Sequence, residues 1–220
     1  MIRIRMGSEF ERVEQPLIER FRVIPVANVS DSMSRLNAGG PRIRPYHKHG
    51  LLIGPALTVR TRPGDNLALH KALDMAKPGD VIVVDGGGDL TNALLGDLLV
   101  AYALKLGVGG FVVNGSIRDL ATIREGTFPV YAAGVTHRGP YKDGPGEING
   151  PIAVDGMSFR PGDLVIGDAD GVLCVPREEA RSICEQAERK NQAEQRDLAD
   201  ILGGTWDRRW IEEKIGTPAK

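Results

Sequence analysis

The sequence predicts an α/β domain, and three observations carry that prediction. Two β-branched, apolar runs, "VIVVD" at 81–85 and "GFVVN" at 110–114, have the unbroken hydrophobicity of strands buried on both faces. Between them, "GDLLVAYALKLG" at 96–107 carries an acid in its first turn, apolar residues at helical spacing and a lysine before a closing glycine. Strand, helix and strand in this order make a crossover unit with parallel strands and a right-handed connection.

The other elements follow in chain order. The opening "MIRIRMGSEFERVEQ" is charged and lacks period, so it reads as a frayed arm. "PLIERFR" (16–22) reads as a short helix stopped before Pro25, and "VANVSDSMSRLN" as a strand-edge turn into a second helix capped by Ser30 or Asp31. Gly39, Gly40, Pro41 and Pro45 mark a loop. "LLIGPALTVRTRPGD" is a strand closed by a Pro-Gly turn, and "NLALHKALDMAKPGD" a helix closed by the same device. Pro-Gly-Asp occurs at 63–65, 78–80 and 161–163, each time with proline presetting a type II turn and glycine supplying its positive φ. Two of these turns launch similar runs, "PGDVIVVDGGG" and "PGDLVIGDADG", which suggests strands of related role. "GGFVVNGSIRD" and "FPVYAAG" are strands, and 138–150 is a Gly-Pro-rich loop.

After "GVLCVP" the character changes. Residues 177–202 form one long helix stopped by Gly203 and Gly204. Its apolar positions, Ala180, Ile183, Ala187, Leu198 and Ile201, make a thin stripe suited to reaching a neighbouring subunit. The chain therefore divides into a core at 1–176, with an N-terminal helical arm, and a subunit-contacting helix and tail at 177–220.

Bulk composition narrows the function classes. With 28 basic and 29 acidic residues the net charge is −1, which gives no reason to expect nucleic acid or a membrane surface as partner. No apolar run is long enough to span a bilayer and no secretory signal opens the chain, so a cytoplasmic protein acting on a small ligand is expected. Cys174 and Cys184 belong to no CxxC pair and read as reduced core thiols.

Gly86, Gly87 and Gly88 draw attention first. A dinucleotide or methyl-donor loop needs spaced glycines opening a helix, and here the glycines are contiguous, an acid (Asp89) follows, and no helix starts there. No Gly-Lys-Ser/Thr is present either, so a P-loop is also excluded. The helix begins at Gly96-Asp97, where free N–H groups beside a glycine suit a carboxylate or phosphate. Ten helical residues carry the chain roughly 15 Å away, and "GFVVN" brings it back. Gly115, Ser116, Arg118 and Asp119 then arrive at the same sheet edge as Asp97, where open α/β folds bind ligands. Arg118 offers a planar fork to a carboxylate, and Asp119 and Asp97 offer hard oxygens to a divalent cation. On spacing alone the Arg-Asp pair is equally a surface ion pair.

Asp97, twenty residues, then Arg118-Asp119, set in "VDGGGDLTNALLGDLL", "GGFVVNGSIRD" and "FPVYAAG", resembles the family that joins 4-hydroxy-4-methyl-2-oxoglutarate aldolases to the regulator of ribonuclease E activity A. The resemblance runs from "VSDSM" through "RPGDNLALHKAL" to "PGDLVIGDADGVLCVP" and the long helix. Some relatives carry a demethylmenaquinone methyltransferase label, against which the missing methyl-donor loop argues. The resemblance implies a swivelling β/β/α (phosphohistidine-domain-like) fold, assembled as homotrimers or homohexamers with sites between subunits. It implies a class II pyruvate aldolase acting on a small 4-hydroxy-2-oxo acid, with secondary oxaloacetate decarboxylase activity. By matching positions, backbone N–H groups of Gly96, Asp97, Leu98 and Leu99 would hold the pyruvyl carboxylate and Arg118 the pyruvyl oxygens. Asp119 would ligate Mg²⁺ or Mn²⁺, and Asp97 would hold its waters. A glutamate of a neighbour's C-terminal helix, Glu194 or Glu188, would complete the site and assist removal of the 4-hydroxyl proton. The other class implied is a non-catalytic regulator that binds ribonuclease E, which would need neither Asp119 nor the long helix.

The remaining candidates have plainer readings. His47 and His49 lie in a Pro-rich loop without further ligands nearby, so a solvated loop is expected rather than a metal pair. Asp65 and Asn66 read as caps of the helix they precede, and His70 on that helix faces either core or site. His137 and Arg138 are candidates for the distal carboxylate of a substrate. Trp206 and Trp210 read as an interface anchor.

Overall fold

The computed structural model describes residues 4–216, so the first three residues of the arm and the last four of the tail lie outside it. The chain begins with β1 (Ile4–Met6), α1 (Gln15–Phe21), α2 (Val26–Ser32), β2 (Arg44–Pro45), β3 (Leu52–Thr61), α3 (Leu67–Met75) and β4 (Val81–Asp85). It continues through β5 (Ala93–Leu95), α4 (Asp97–Leu106), β6 (Gly110–Ile117), α5 (Leu120–Glu125) and β7 (Val130–Val135). It closes with β8 (Gly146–Ile148), β9 (Ile152–Val154), β10 (Met157–Phe159), β11 (Leu164–Gly167), β12 (Val172–Val175), α6 (Ala180–Gly203) and α7 (Arg209–Ile215).

The main sheet runs β1-β8-β3-β4-β6-β7-β2, with β3, β4, β6 and β7 mutually parallel. Its central strands alternate between two cores. Ile82, Val84, Phe111 and Val113 face α3 and α4, and Val81, Val83 and Val112 face the β9–β10 hairpin and β12. Covering both faces is why β4 reads as a continuous apolar run. β3 serves three ladders: Leu52 to Pro55 pair antiparallel with β11, Ala56 to Arg60 pair parallel with β4, and Val59 to Thr61 pair antiparallel with β8 on the other edge. A third core lies beneath β11 and β12, where α1, α2 and the first half of α6 bury Phe21, Val29, Ile183, Cys184 and Ala187. The architecture is thus a mixed α/β fold of the expected class, and both cysteines are buried free thiols.

Several local expectations are corrected. The arm is not frayed over its described part: β1 pairs with β8, and Arg12 makes a two-pronged ion pair with the buried Asp80 at 2.7 and 2.8 Å. Residues 138–150 are not loop throughout, because β8 lies within them, held between β1 and β3. α2 starts after Pro25, and its first N–H is met by Asp168 Oδ2 at 3.2 Å, so Ser30 and Asp31 lie inside the helix and do not cap it. The long helix opens with a 3-10 turn at Arg177–Glu179, and beyond Ala187 its large apolar residues, Leu198, Ile201 and Leu202, are left exposed by the described residues.

Candidate active site

The glycine run behaves as a turn. Gly86 and Gly88 donate to the Asn114 carbonyl at 3.1 Å, Gly87 donates to Asp85 Oδ1 at 3.0 Å, and no helix starts there. The chain then enters β5, a strand invisible to periodicity, which pairs with the end of β6 (Ala93 with Ser116, Leu95 with Ile117). The Arg118 N–H donates to the Leu95 carbonyl at 3.0 Å and closes the ladder. This ladder, more than the length of the crossover, sets Gly96-Asp97 against Arg118-Asp119.

At that corner Gly96 is the N-cap of α4 in extended backbone and offers no side-chain cap, so the first-turn N–H groups of α4 are not met from within the helix. Gly107, at φ 75°, closes the other end. Asp119 sits in the left-handed region, φ 56° and ψ 40°, a conformation aspartate tolerates better than most residues. Its carboxylate turns back over Gly96: Oδ2 accepts the Asp97 N–H at 3.1 Å and stands 3.4 Å from Arg118 Nε. A Cβ on residue 96 would overlap Asp119 Oδ2 and stand 2.9 Å from Arg118 Cγ, so only glycine lets these two side chains lie across the helix start. Both remain partly open to solvent, at 40% for Arg118 and 34% for Asp119.

The corner forms one end of a cleft of about 310 Å³. Leu95, Gly96, Leu98, Leu99 and Arg118 line that end, Asn66 and His70 form a second wall, and Gly139, Pro140 and Lys142 a third. Of the seven residues expected here from the sequence, Gly96, Leu98, Leu99 and Arg118 line the cleft, Asp97 and Asp119 adjoin it at the corner through their hydrogen bond, and Glu194 lies elsewhere. Burial, then the charge of Lys142, lowers the His70 pKa below 6.5, which favours the neutral ring. Asn66 donates to the Leu94 carbonyl at 2.9 Å, and its buried Oδ1 has no partner among the described residues.

Other candidates lie elsewhere. Glu194 accepts from Asn28 Nδ2 at 2.9 Å and pairs with Lys190 at 3.1 Å, and Glu188 is held at both oxygens by Arg20 at 2.8 and 2.7 Å; neither lines the cleft of its own chain. His137 and Arg138 are exposed and do not line it either; the loop presents Lys142 instead. His47 packs on the Tyr131 ring and hydrogen-bonds the Val130 backbone, so it is structural rather than solvated. The cap role falls to Asp65, whose Oδ1 accepts the Leu67 N–H at 3.0 Å, while Asn66 makes no side-chain cap. Lys142 and the inward role of Asn66 were not visible beforehand: a lysine in a Gly-Pro-rich loop carries no periodic signal.

Among the described residues no helix is long and apolar enough to cross a membrane. The RraA-like (Aldolase/RraA) family pattern matches residues 26–174. A protein of Halalkalibacterium halodurans named "Putative 4-hydroxy-4-methyl-2-oxoglutarate aldolase" is 40% identical over 192 residues, covering 86% of this chain and 91% of that one. A Burkholderia multivorans protein of the same name is 41% identical over 133 residues, 60% of this chain and 80% of its own. The structure of Streptomyces coelicolor RraAS2, described as an unusual member of the RNase ES inhibitor RraA protein family, superposes with a TM-score of 0.77 at 29% identity, over 85% of this chain and 98% of that one. With the family pattern covering most of the chain and the fold and cleft consistent with it, this protein belongs to the RraA-like aldolase/RraA family.

Proposed function

We propose that the protein is a divalent-metal-dependent class II pyruvate aldolase that cleaves 4-hydroxy-4-methyl-2-oxoglutarate, or a related 4-hydroxy-2-oxo acid such as 4-carboxy-4-hydroxy-2-oxoadipate, to pyruvate and a 2-oxo acid. The observation that carries this reading is the corner where Asp119 and Arg118 lie across the uncapped start of α4, at one end of a cleft with Lys142 on another wall. Such a corner recognises a carboxylate next to a carbonyl, and the lysine suits a second carboxylate.

The residues fit a hard cation. The donors are carboxylate oxygens of Asp119 with Asp97 beside it, and no group of three or more His, Cys, Asp or Glu ligands occurs among the described residues. A cation held by one or two carboxylates, its other positions left to water and substrate, is the habit of Mg²⁺ and Mn²⁺ rather than of structural zinc. Bound there, it would polarise the 2-oxo group as a Lewis acid. The chain's own groups supply the rest. First-turn N–H groups of Leu98 and Leu99 hold the pyruvyl carboxylate, and the Arg118 guanidinium stabilises charge that grows on the 2-oxo oxygen. As the C3–C4 bond breaks, its electron pair becomes the enolate of pyruvate and the 4-hydroxyl loses its proton, which Asp97 and Glu194 of a second copy would help to remove. Loss of CO₂ from oxaloacetate leaves the same enolate, hence a secondary decarboxylase activity.

Sites shared between copies of a homotrimer or homohexamer are supported by the uncovered apolar residues of α4 (Leu98, Tyr102, Leu104) and of the C-terminal region (Leu198, Leu202, Trp206, Trp210). The test is pyruvate release from 4-hydroxy-4-methyl-2-oxoglutarate and from oxaloacetate, with Mg²⁺ and with EDTA. Turnover should require the metal and disappear in Asp119→Ala. Likeness to RraAS2 favours a second reading, a non-catalytic ribonuclease E regulator; no metal-dependent turnover of either substrate would sink the lyase reading and leave the regulator standing, and an Asp119→Ala protein as active as the parent would overturn the site proposed for the lyase.

A further inference from the structure

The loop between β7 and β8 forms one wall of the cleft through Gly139, Pro140 and Lys142, yet it has no regular structure over most of its length. A loop of this kind places a side chain reproducibly only if its backbone is tied down. The ties converge on the turn that precedes α3. The Tyr141 N–H donates to the Gly64 carbonyl at 2.8 Å, and the Asn66 N–H returns to the Tyr141 carbonyl at 3.0 Å. The Asp143 and Gly144 N–H groups both donate to Asp65 Oδ2, at 2.7 and 2.9 Å. Arg62 Nη2 reaches the same oxygen at 3.2 Å, and its guanidinium lies 5.6 Å from the Tyr141 ring centre.

Asp65 is fully buried and both of its oxygens are used, Oδ1 by the first turn of α3 and Oδ2 by the loop. One carboxylate therefore joins the wall that carries Lys142 to the wall that carries Asn66 and His70. Lys142 lies between two of the loop residues whose N–H groups are clamped, Tyr141 and Asp143. An apolar side chain at 65 would leave the N–H groups of Leu67, Asp143 and Gly144 without their acceptor, so this carboxylate is what holds the loop against the start of α3.

We propose that Asp65 is a positioning residue that sets how far Lys142 stands from the Arg118 corner, and so selects substrates by the placement of their second carboxylate. This rests on the aldolase reading for its substrate, but the clamp itself does not. Asparagine at 65 keeps the shape yet presents one acceptor oxygen in place of two, so either α3 or the loop loses its partner.

The experiment compares the full-length parent with Asp65→Asn, Lys142→Met and the double variant, by amide hydrogen exchange and by steady-state kinetics. In Asp65→Asn the amides of Asp143 and Gly144 should exchange at least about tenfold faster while those of β4 and β6 keep their protection. The KM for 4-hydroxy-4-methyl-2-oxoglutarate should rise about tenfold or more with kcat little changed, and the inhibition constant of pyruvate, which fills only the Arg118 end, should stay put. Lys142→Met should raise KM similarly, and the double variant should be no worse than the worse single one. Unchanged exchange at the loop and at the Leu67 amide together overturns the clamp; if Leu67 alone exchanges faster, the amide oxygen has stayed with the loop, and unchanged loop exchange in Arg62→Met overturns the clamp instead. Faster exchange with unchanged KM, equal losses for pyruvate and the longer substrate, or additive losses in the double variant overturn the selective role. If Asp65→Asn does not fold, Arg62→Met removes the one charged donor from the clamp and leaves the Asp65 carboxylate to its backbone N–H partners, and the same readings apply to it. If the parent turns over neither substrate, the aldolase reading fails and the selective role fails with it, while the exchange arm still decides the clamp.

Discussion

Gly96→Ala isolates the geometry of the corner from the stability of the fold. Residue 96 has φ −149° and ψ −164°, extended backbone that alanine adopts freely, so the substitution carries no backbone strain. Its whole effect is the added methyl group, which would overlap Asp119 Oδ2 and press on Arg118 Cγ at 2.9 Å and Nε at 3.1 Å. Relieving an overlap of that size moves the carboxylate by about 1 Å, since unbonded heavy atoms prefer roughly 3.5 Å or more. Asp119 cannot make that move and keep both the Asp97 N–H at 3.1 Å and the approach of Arg118 at 3.4 Å. A displacement of about 1 Å in groups that position a reacting substrate costs on the order of 10²-fold, about 2.7 kcal/mol of transition-state stabilisation. Stability should change far less, because a partly exposed pair of this kind is worth at most about 1 kcal/mol, or roughly 2–4 °C in a chain of this size. The assay is kcat/KM for pyruvate release at saturating Mg²⁺, beside a thermal melt of the same sample. An alanine variant within about threefold of the parent would show that the Arg118 and Asp119 arrangement does not set the rate.

Two more outcomes follow from the same geometry. The lowered pKa of His70 means that the unfolded chain takes up a proton, as pH falls below 6.5, before the folded one does. Folding stability should therefore fall on acidification from 6.5 toward the lowered folded value, and His70→Asn should flatten that slope in denaturant titrations between about pH 5 and 7; parallel profiles would refute it. Shared sites predict complementation. Arg118→Ala and Glu194→Gln should each be nearly inactive, but a refolded equal mixture should recover about a quarter of parental activity, the share of sites that draw an intact Arg118 and an intact Glu194 from different chains. No recovery, or Glu188→Gln matching Glu194→Gln in lost activity, would count against Glu194 as the shared residue.

What was legible beforehand was what local chemistry decides. α4 announced itself because its start at Gly96, its acid at Asp97 and its stop at Gly107 all sit within the helix or next to it. The Pro-Gly-Asp turns were equally plain, and Gly64, Gly79 and Gly162 do adopt positive φ. What was missed is held by partners far along the chain. β5 is three residues long and exists through its ladder with β6; β8 exists because β1 and β3 flank it; and α2 takes its cap from Asp168. Short elements of this kind have no period of their own, so no local reading of 93–95 or 146–148 can find them.

The same division runs through the cleft, and it explains why half of the site could be named and half could not. Arg118 and Asp119 are neighbours in sequence and end a strong strand, so their meeting with residues 96–99 needed only one right pairing, although that pairing turned out to be β5 with β6 rather than the crossover alone. Lys142 depends on a loop whose course is decided by a buried carboxylate nearly eighty positions earlier. In sequence Asp65 looked like a helix cap, and one of its oxygens is that; the other gathers the loop. A local role satisfied by one oxygen hid a long-range role carried by the other, and the substitutions that separate the two oxygens are therefore the ones that distinguish a capped helix from a built wall of the cleft.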